Sequence, residues 1–358
     1  MQILVINYID MDPASSGSGV RPQKMYRAFQ ELGHQVYLLS GSQDRAVRER
    51  RRADVEAASR WLDENKPDLC YIESPVYPIL WSFDRALIRK IHAQGIPIGY
   101  YYRDFQDRFP ALFPKRKDIP GRLKDLWLDW KRKQTDRLLH SADIVYLPSE
   151  VCKELFSFRD MRPLPPAGED RLPGDPPSGQ TSIYVGGILG IYDGADLLDV
   201  YSRLNEEGDY PLILVCREKE WKKLDHPQKN APWLEVHHAS GEALEPLYRR
   251  SALGLCFFTD NEYCRYAVSV KLNEYMGHGL PLLIRRAEEM ERIARRDGTG
   301  LCVGGDERQA ADTIRSYFAD ESLRRKLFEN VCAAVRRNGL WKHRAEQVVR
   351  ELKKGSKL

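Results

Sequence analysis

Short apolar, β-branched runs alternate along this chain with longer amphipathic stretches. Ile3–Ile6, Gln35–Leu39, Asp68–Ile72, Ile96–Tyr101 and Ile144–Leu147 read as buried strands, with helices such as Pro22–Leu32 and Arg45–Glu64 between them. Strands separated by helices imply parallel pairing through right-handed crossovers, hence an open α/β sheet. The alternation stops at Arg162–Gln180, where proline and glycine crowd together and neither sheet nor helix can continue. It then restarts with Ser182–Val185, Leu212–Cys216, Leu234–His237, Leu253–Phe258, Pro281–Ile284 and Gly300–Val303. From Glu307 the pattern is helical, ending in a helix near Trp341–Lys353.

Two Rossmann-like open parallel-sheet domains are therefore expected. The first covers 1–162, a Pro/Gly-rich linker 163–180, the second 181–340, and a C-terminal helix at 341–358 is expected to pack back on the first. Ligands bind such sheets at the carboxyl ends of the strands, so a cleft between the two domains is the default site.

Composition narrows the function classes. The 358 residues are 42% hydrophobic and 30% charged, with a net charge of +4, which is ordinary globular composition and makes no case for a nucleic-acid partner. The seven cysteines are scattered, without a C-x-x-C pair, and read as small buried hydrophobes in a reducing compartment. No basic-start signal peptide and no apolar run of membrane-spanning length is seen, so a cytoplasmic location is expected.

The segment richest in candidate chemistry is Tyr266–Leu283. Ser269 suits a helix N-cap, making Val270 and Lys271 the first helical residues. Free N–H groups and the dipole at a helix start favour an anion such as a diphosphate, and Lys271 adds a point charge there. Glu274, one turn on, shares that face and suits ribose hydroxyls. A plain surface Lys–Glu pair on an ordinary helix fits the same spacing.

Lys271-x-x-Glu274-Tyr275-Met276-x-x-Gly279-x-Pro281 resembles the nucleotide-sugar motif of family 4 glycosyltransferases of the GT-B architecture, as found in bacterial polysaccharide biosynthesis. Met1–Gly41, Tyr184–Gly194, residues 298–306 and Trp341 also fit that family's pattern. The resemblance implies a GT-B fold and transfer of a sugar from an NDP-sugar donor to a glycan or lipid-linked acceptor. It further implies retention of configuration and no metal or cofactor. Lys271 would meet the donor phosphates and Glu274 the ribose, with Gly187, Ser269 and Val270 lining the donor site.

The chain departs from the family in three places. Ile188 and Asp193 stand where many members carry an arginine and a lysine for the diphosphate, and Tyr266 stands where a second glutamate is common. Arg217, just after a strand, is our candidate replacement cation, although it also reads as a solvated residue in a charged run. Asp260 and Glu262 lie near the missing glutamate. Two rivals stay open: a nucleotide-sugar 2-epimerase, and a non-catalytic binding subunit.

In the first domain, Ser15–Arg21 follows a strand and precedes a helix. Gly17, Ser18 and Gly19 would let backbone approach a ligand closely, and the resemblance implies that this loop lies beside the donor diphosphate and acceptor. It is neither a dinucleotide fingerprint nor a P-loop. Arg103 and Asp104 end the strand at Tyr100–Tyr102. Charged groups at that place invite a role with acceptor hydroxyl or donor phosphate. In the mechanism the resemblance implies, Arg103 suits stabilisation of the leaving diphosphate, and Asp104 is either catalytic or the structural partner of Arg103. His237-His238 offers no zinc spacing, and His278 reads as a helix cap.

Residues 115–137 combine Lys115-Arg116-Lys117, a stripe of Leu123, Leu126, Trp127 and Trp130, and Lys131-Arg132-Lys133. Either this helix rests peripherally on the inner membrane face, or the stripe faces the core and the cations are solvated. For amphipathic helices the second arrangement is the commoner.

Overall fold

The computed structural model describes residues 1–11, 19–76, 78–113 and 118–355. The chain divides into unit 1, Met1–Pro165 with Trp341–Leu358, and unit 2, Pro166–Leu340.

The strands of unit 1 are β1 (Gln2–Ile6), β2 (Gln35–Leu39), β3 (Leu69–Glu73), β4 (Ile98–Tyr101), β5 (Ile144–Leu147) and β6 (Met161–Pro163). Its helices are α1 (Val20–Glu31), α2 (Arg48–Glu64), α3 (Ser82–Ala93) and α4 (Ile119–Leu139), to which the last helix of the chain, α12 (Trp341–Gly355), is added. Among the described residues the sheet is parallel throughout, in the order β2-β1-β3-β4-β5-β6. Ile3–Ile6 and Leu69–Ile72 are at most 1% exposed, as strands covered on both faces must be.

Strand β6 is short, ends in a proline, and escaped the sequence pattern. Proline is tolerated there because β6 is the sheet edge. Helix α12 packs beside α1 and buries Ala345, Val348 and Leu352. A side chain on Gly99 of β4 would come within 3.1 Å of Leu352 and 2.9 Å of the Tyr146 ring, so the glycine lets the helix seat on the sheet.

Unit 2 holds β7 (Ser182–Val185), β8 (Leu212–Val215), β9 (Leu234–His237), β10 (Leu253–Phe257), β11 (Leu282–Arg285) and β12 (Gly300–Val303). They form a parallel sheet in the order β12-β11-β10-β7-β8-β9. The helices are α5 (Gly194–Leu204), α6 (Glu218–Lys223), α7 (Glu245–Arg249), α8 (Val270–Gly277), α9 (Glu288–Asp297), α10 (Glu307–Ala319) and α11 (Glu321–Ala334). Tyr184 packs with Leu197, Tyr201 and Ile314 on one face of the sheet, under α5 and α10. Ile183 and Val185 point the other way, to Leu272, Tyr275, Met276 and Met290 of α8 and α9.

Three expectations need correction. The segment 163–180 is not a free linker, because from Pro166 onward it belongs to unit 2. Gly168 N donates to Gly339 O at 2.8 Å and Arg171 N to Gly277 O at 2.9 Å. A Cβ on Gly168 would lie 2.3 Å from Asn273 O, and one on Gly277 2.4 Å from Glu169 O, so the two glycines let bare backbones touch. Proline forbids regular structure here but does not forbid packing.

The C-terminal region is helical only in pieces. It is interrupted at Asp320, whose Oδ1 accepts from Leu323 N at 2.9 Å, and at Val335–Gly339. The third correction concerns α4. Leu123, Leu126, Trp127 and Trp130 are 64%, 65%, 39% and 53% exposed, so the stripe does not face the core. The buried positions of α4 are Gly121, Thr135, Leu138 and Leu139.

All seven cysteines are free thiols, buried except for the half-buried Cys302. Among the described residues no helix is long and apolar enough to cross a membrane.

Candidate functional site

In unit 2 the chain builds β7, β8 and β9 outward in one direction, then returns to the other side of β7 to build β10, β11 and β12. The carboxyl ends of β7 and β10 therefore flank the point where the winding reverses, where open α/β sheets bind ligands. The loop holding Gly187 leaves β7, Arg217 leaves β8, the approach to α8 leaves β10, and Arg286 leaves β11.

Helix α8 starts as its sequence requires. Ser269 is extended (ψ 138°), and its Oγ accepts from Lys271 N at 3.2 Å. Val270 and Lys271 open the helix and leave first-turn amides without helical acceptors. Lys271 Nζ meets Glu274 Oε2 at 2.5 Å with both side chains still partly open, 29% and 23% exposed. Such i,i+3 pairs contribute at most about 0.5 kcal/mol, so both groups can exchange each other for a ligand cheaply.

Sequence spacing did not reveal what holds Glu274. Tyr248 of α7 donates to Glu274 Oε2 at 2.9 Å, and burial together with this carboxylate pushes the phenol's pKa up, keeping it a donor. His278 caps α8, with Nδ1 2.8 Å from Glu274 O and Nε2 3.0 Å from Glu245 Oε1. Its ring stacks on Tyr248 at 4.3 Å, and Arg171 closes the group on Glu245 at 3.0 Å. Glu274 Oε2 thus carries both Tyr248 and Lys271, so Tyr248 still holds the carboxylate when Lys271 leaves it. Beneath α8, the Tyr275 phenol oxygen accepts from Val185 N of β7 at 2.8 Å.

The Gly187 loop is more closed. A Cβ on Gly187 would lie 2.5 Å from the Tyr192 ring, which accounts for the glycine without a ligand. The next amide, Ile188 N, donates to Glu220 Oε2 at 2.9 Å. Arg217, 78% exposed, pairs with the other oxygen of that carboxylate. Asp193 caps α5, its Oδ1 accepting from Asp196 N at 3.3 Å, and burial raises its pKa.

The sequence reading also missed Arg286. Its backbone is left-handed (φ 62°), and its Nη1 lies 3.2 Å from Asp193 Oδ2. A non-glycine residue held in this region costs of order 1 kcal/mol, and such strain gathers at functional positions. Below it, the fully buried Arg285 grips Asp196 through two bonds of 2.6 and 2.7 Å, tying the start of α5 to the tip of β11. Arg286 thereby places a cation beside the loop where the family's arginine and lysine are absent. Adjacent arginines after a strand were the only trace of it in the sequence.

In unit 1, Gly17 and Ser18 lie outside the described residues. Gly19 is the residue before α1. Arg103 and Asp104 follow β4. Arg103 N donates to Ser74 Oγ at 2.9 Å, and Asp104 Oδ1 accepts from Gln106 N at 3.1 Å. Burial raises the Asp104 pKa, partly offset by that amide. Among the described residues no three His, Cys, Asp or Glu side chains converge as a metal-ligand set. A recess of about 650 Å³ in unit 2, lined by Leu301, Asp306, Gln309, Thr313 and Tyr317, contains none of the residues singled out from the sequence.

Residues 197–350 match a family model described as "Glycosyl transferase-like". No curated protein matches the chain. Among solved structures it is similar to Anabaena Alr3699/HepE in complex with UDP, with a TM-score of 0.66 and 11% identity over 99% of this chain and 100% of that one. An α,α-trehalose-phosphate synthase (UDP-forming) from Burkholderia vietnamiensis gives 0.62 and 12%, over 99% and 100%. WaaG, a glycosyltransferase involved in lipopolysaccharide biosynthesis, gives 0.61 and 14%, over 97% and 98%. The chain has the fold of the GT-B glycosyltransferases, and most of its second unit matches a glycosyl transferase-like family, as the motif at Lys271–Pro281 led us to expect.

Proposed function

We propose that the chain is a glycosyltransferase that moves a sugar from a nucleoside diphosphate onto a saccharide or lipid-linked acceptor. The observation that carries this reading is the start of α8: a serine-capped helix N-terminus with Lys271 and Glu274 paired and partly open, and Tyr248 holding the same carboxylate oxygen. A diphosphate supplies the charge that Lys271 and the first-turn amides want, and ribose hydroxyls suit the carboxylate Lys271 would release. We assign Arg286 as a second diphosphate cation, in preference to the solvent-facing Arg217. Uridine donors are the first to try, since one structural neighbour is in complex with UDP and another is named UDP-forming.

In this proposal the bond from sugar C1 to the diphosphate oxygen breaks as the acceptor oxygen bonds to C1 on the same face. The acceptor proton passes to the departing diphosphate, so configuration is retained without a protein nucleophile. The protein's part is to neutralise the growing charge on the leaving group, a term of about 3 kcal/mol for a well-placed donor. Arg103, Asp104 and the loop Gly17–Gly19 are assigned to the leaving group and acceptor side. The reaction is proposed to need no metal.

One observation favours a second reading, a binding subunit without turnover. Ile188 and Asp193 stand where the family has cations, and the carboxylate of Glu220 in α6 holds Ile188 N while that of Asp193 caps α5. Purified chain should be screened with UDP-, GDP- and ADP-sugars for thermal stabilisation, then for nucleotide release with and without acceptors and with EDTA. We expect one donor to raise the melting temperature, and acceptor-dependent release that EDTA leaves unchanged. Stabilisation without release supports the binding subunit, and an epimerised sugar without acceptor supports a 2-epimerase. If no nucleotide shifts the melting temperature, the donor site is wrong.

A further inference from the structure

Helix α4 turns five large apolar residues to solvent. Ile119 is 75% exposed, and with Leu123, Leu126, Trp127 and Trp130 it accounts for most of the large hydrophobic exposure of the described chain. At 3.6 residues per turn these five fall within an arc of about 100° and run for about 16 Å along the helix. The borders of that arc are cationic. Arg122 and Lys133 lie along one side, Lys124 and Lys131 along the other, and the exposed Arg137 continues the line of the stripe.

The acids lie elsewhere. Asp125, Asp129 and Asp136 fall outside the arc and are half-buried, with Asp129 on Arg132 at 2.7 Å and Asp136 3.7 Å from Arg108. Lys131 Nζ sits 4.8 Å from the Trp130 ring and 5.5 Å from that of Trp127, placing an ammonium at the level of the indoles. Burying this stripe in a core would strand its borders of cations. Water alone leaves large apolar surface exposed in one patch.

We propose that this face of α4 lies in the surface of an anionic lipid bilayer. The leucines, isoleucine and indoles enter the boundary between headgroups and chains, where tryptophan is favoured, and the bordering lysines and arginines reach up to lipid phosphates. Charge complementarity selects the occupant: a narrow apolar stripe with cations on both flanks and its acids turned away matches a negative planar surface. The proposal does not depend on the donor-site reading, because lipid binding requires no nucleotide.

The test is sedimentation of the full chain with vesicles of phosphatidylcholine alone and with about one-third phosphatidylglycerol. We expect binding to the anionic vesicles only, weakening as salt is raised, with a blue shift of tryptophan emission. Trp127→Ser with Trp130→Ser should cut binding at least about tenfold. Lys124→Glu with Lys133→Glu should abolish its salt dependence along with most of the binding. Equal binding to both vesicles, no binding to either, or unchanged binding by the tryptophan variant would overturn the proposal. So would a dimer in solution that the tryptophan variant dissociates, since a second copy would then cover the face. All variants alter exposed residues, so an unchanged melting temperature confirms that folding is not what is being read.

Discussion

Helices α4 and α8 share a sequence style, apolar positions at helical spacing with charges between, and put it to opposite uses. In α8 the apolar residues Leu272, Tyr275 and Met276 go under the sheet of unit 2, leaving Lys271 and Glu274 at the open face. In α4 the corresponding stripe faces out and the helix is held by Thr135, Leu138 and Leu139 near its C-terminal end. Periodicity tells that a helix has an apolar face. It does not tell what that face meets, because the answer depends on neighbours far away in the chain.

The contrast can be broken by substitution, beginning with the largest effect. Leu272→Ala should cost about 2–5 kcal/mol in a denaturation experiment, since a buried leucine loses both transfer energy and packing. A loss under about 1 kcal/mol would mean α8 does not bury that face. Lys271→Ala should leave stability nearly unchanged but lower kcat/KM for the donor by about 2–4 kcal/mol in transition-state terms. Intact kinetics in a folded variant would count against the donor site. Ser269→Ala removes the cap and should cost about 1 kcal/mol of stability, read from the urea midpoint, with a loss of donor affinity as the first turn frays. Smallest of all, Leu126→Ala in α4 should change stability by no more than about 0.5 kcal/mol. A loss matching Leu272→Ala would show that something covers the stripe in solution.

Much of the architecture could be read directly. Ser182–Val185, Leu234–His237, Ile144–Leu147 and Gly300–Val303 are strands with the expected bounds. Parallel strands covered on both faces must be apolar along their whole length, and such runs stand out against amphipathic helices. Strand β6 could not be read, since Met161–Pro163 is too short to show a pattern and contains a proline. The Ser269 cap and the pairing of Lys271 with Glu274 were visible because they are local, within one helical turn.

What the sequence alone determined was the succession of elements, the two-sheet fold class and the polar face of α8, since these follow from hydrogen bonding and apolar spacing within a few residues. Only the folded chain decided the rest. Tyr248 reaches Glu274 across 26 residues, Glu220 reaches Ile188 across 32, and Arg286 reaches Asp193 across 93. It also decided that the tryptophans of α4 meet solvent, because burial is a property of the space around a side chain and that space is filled by whichever distant segments the topology brings there.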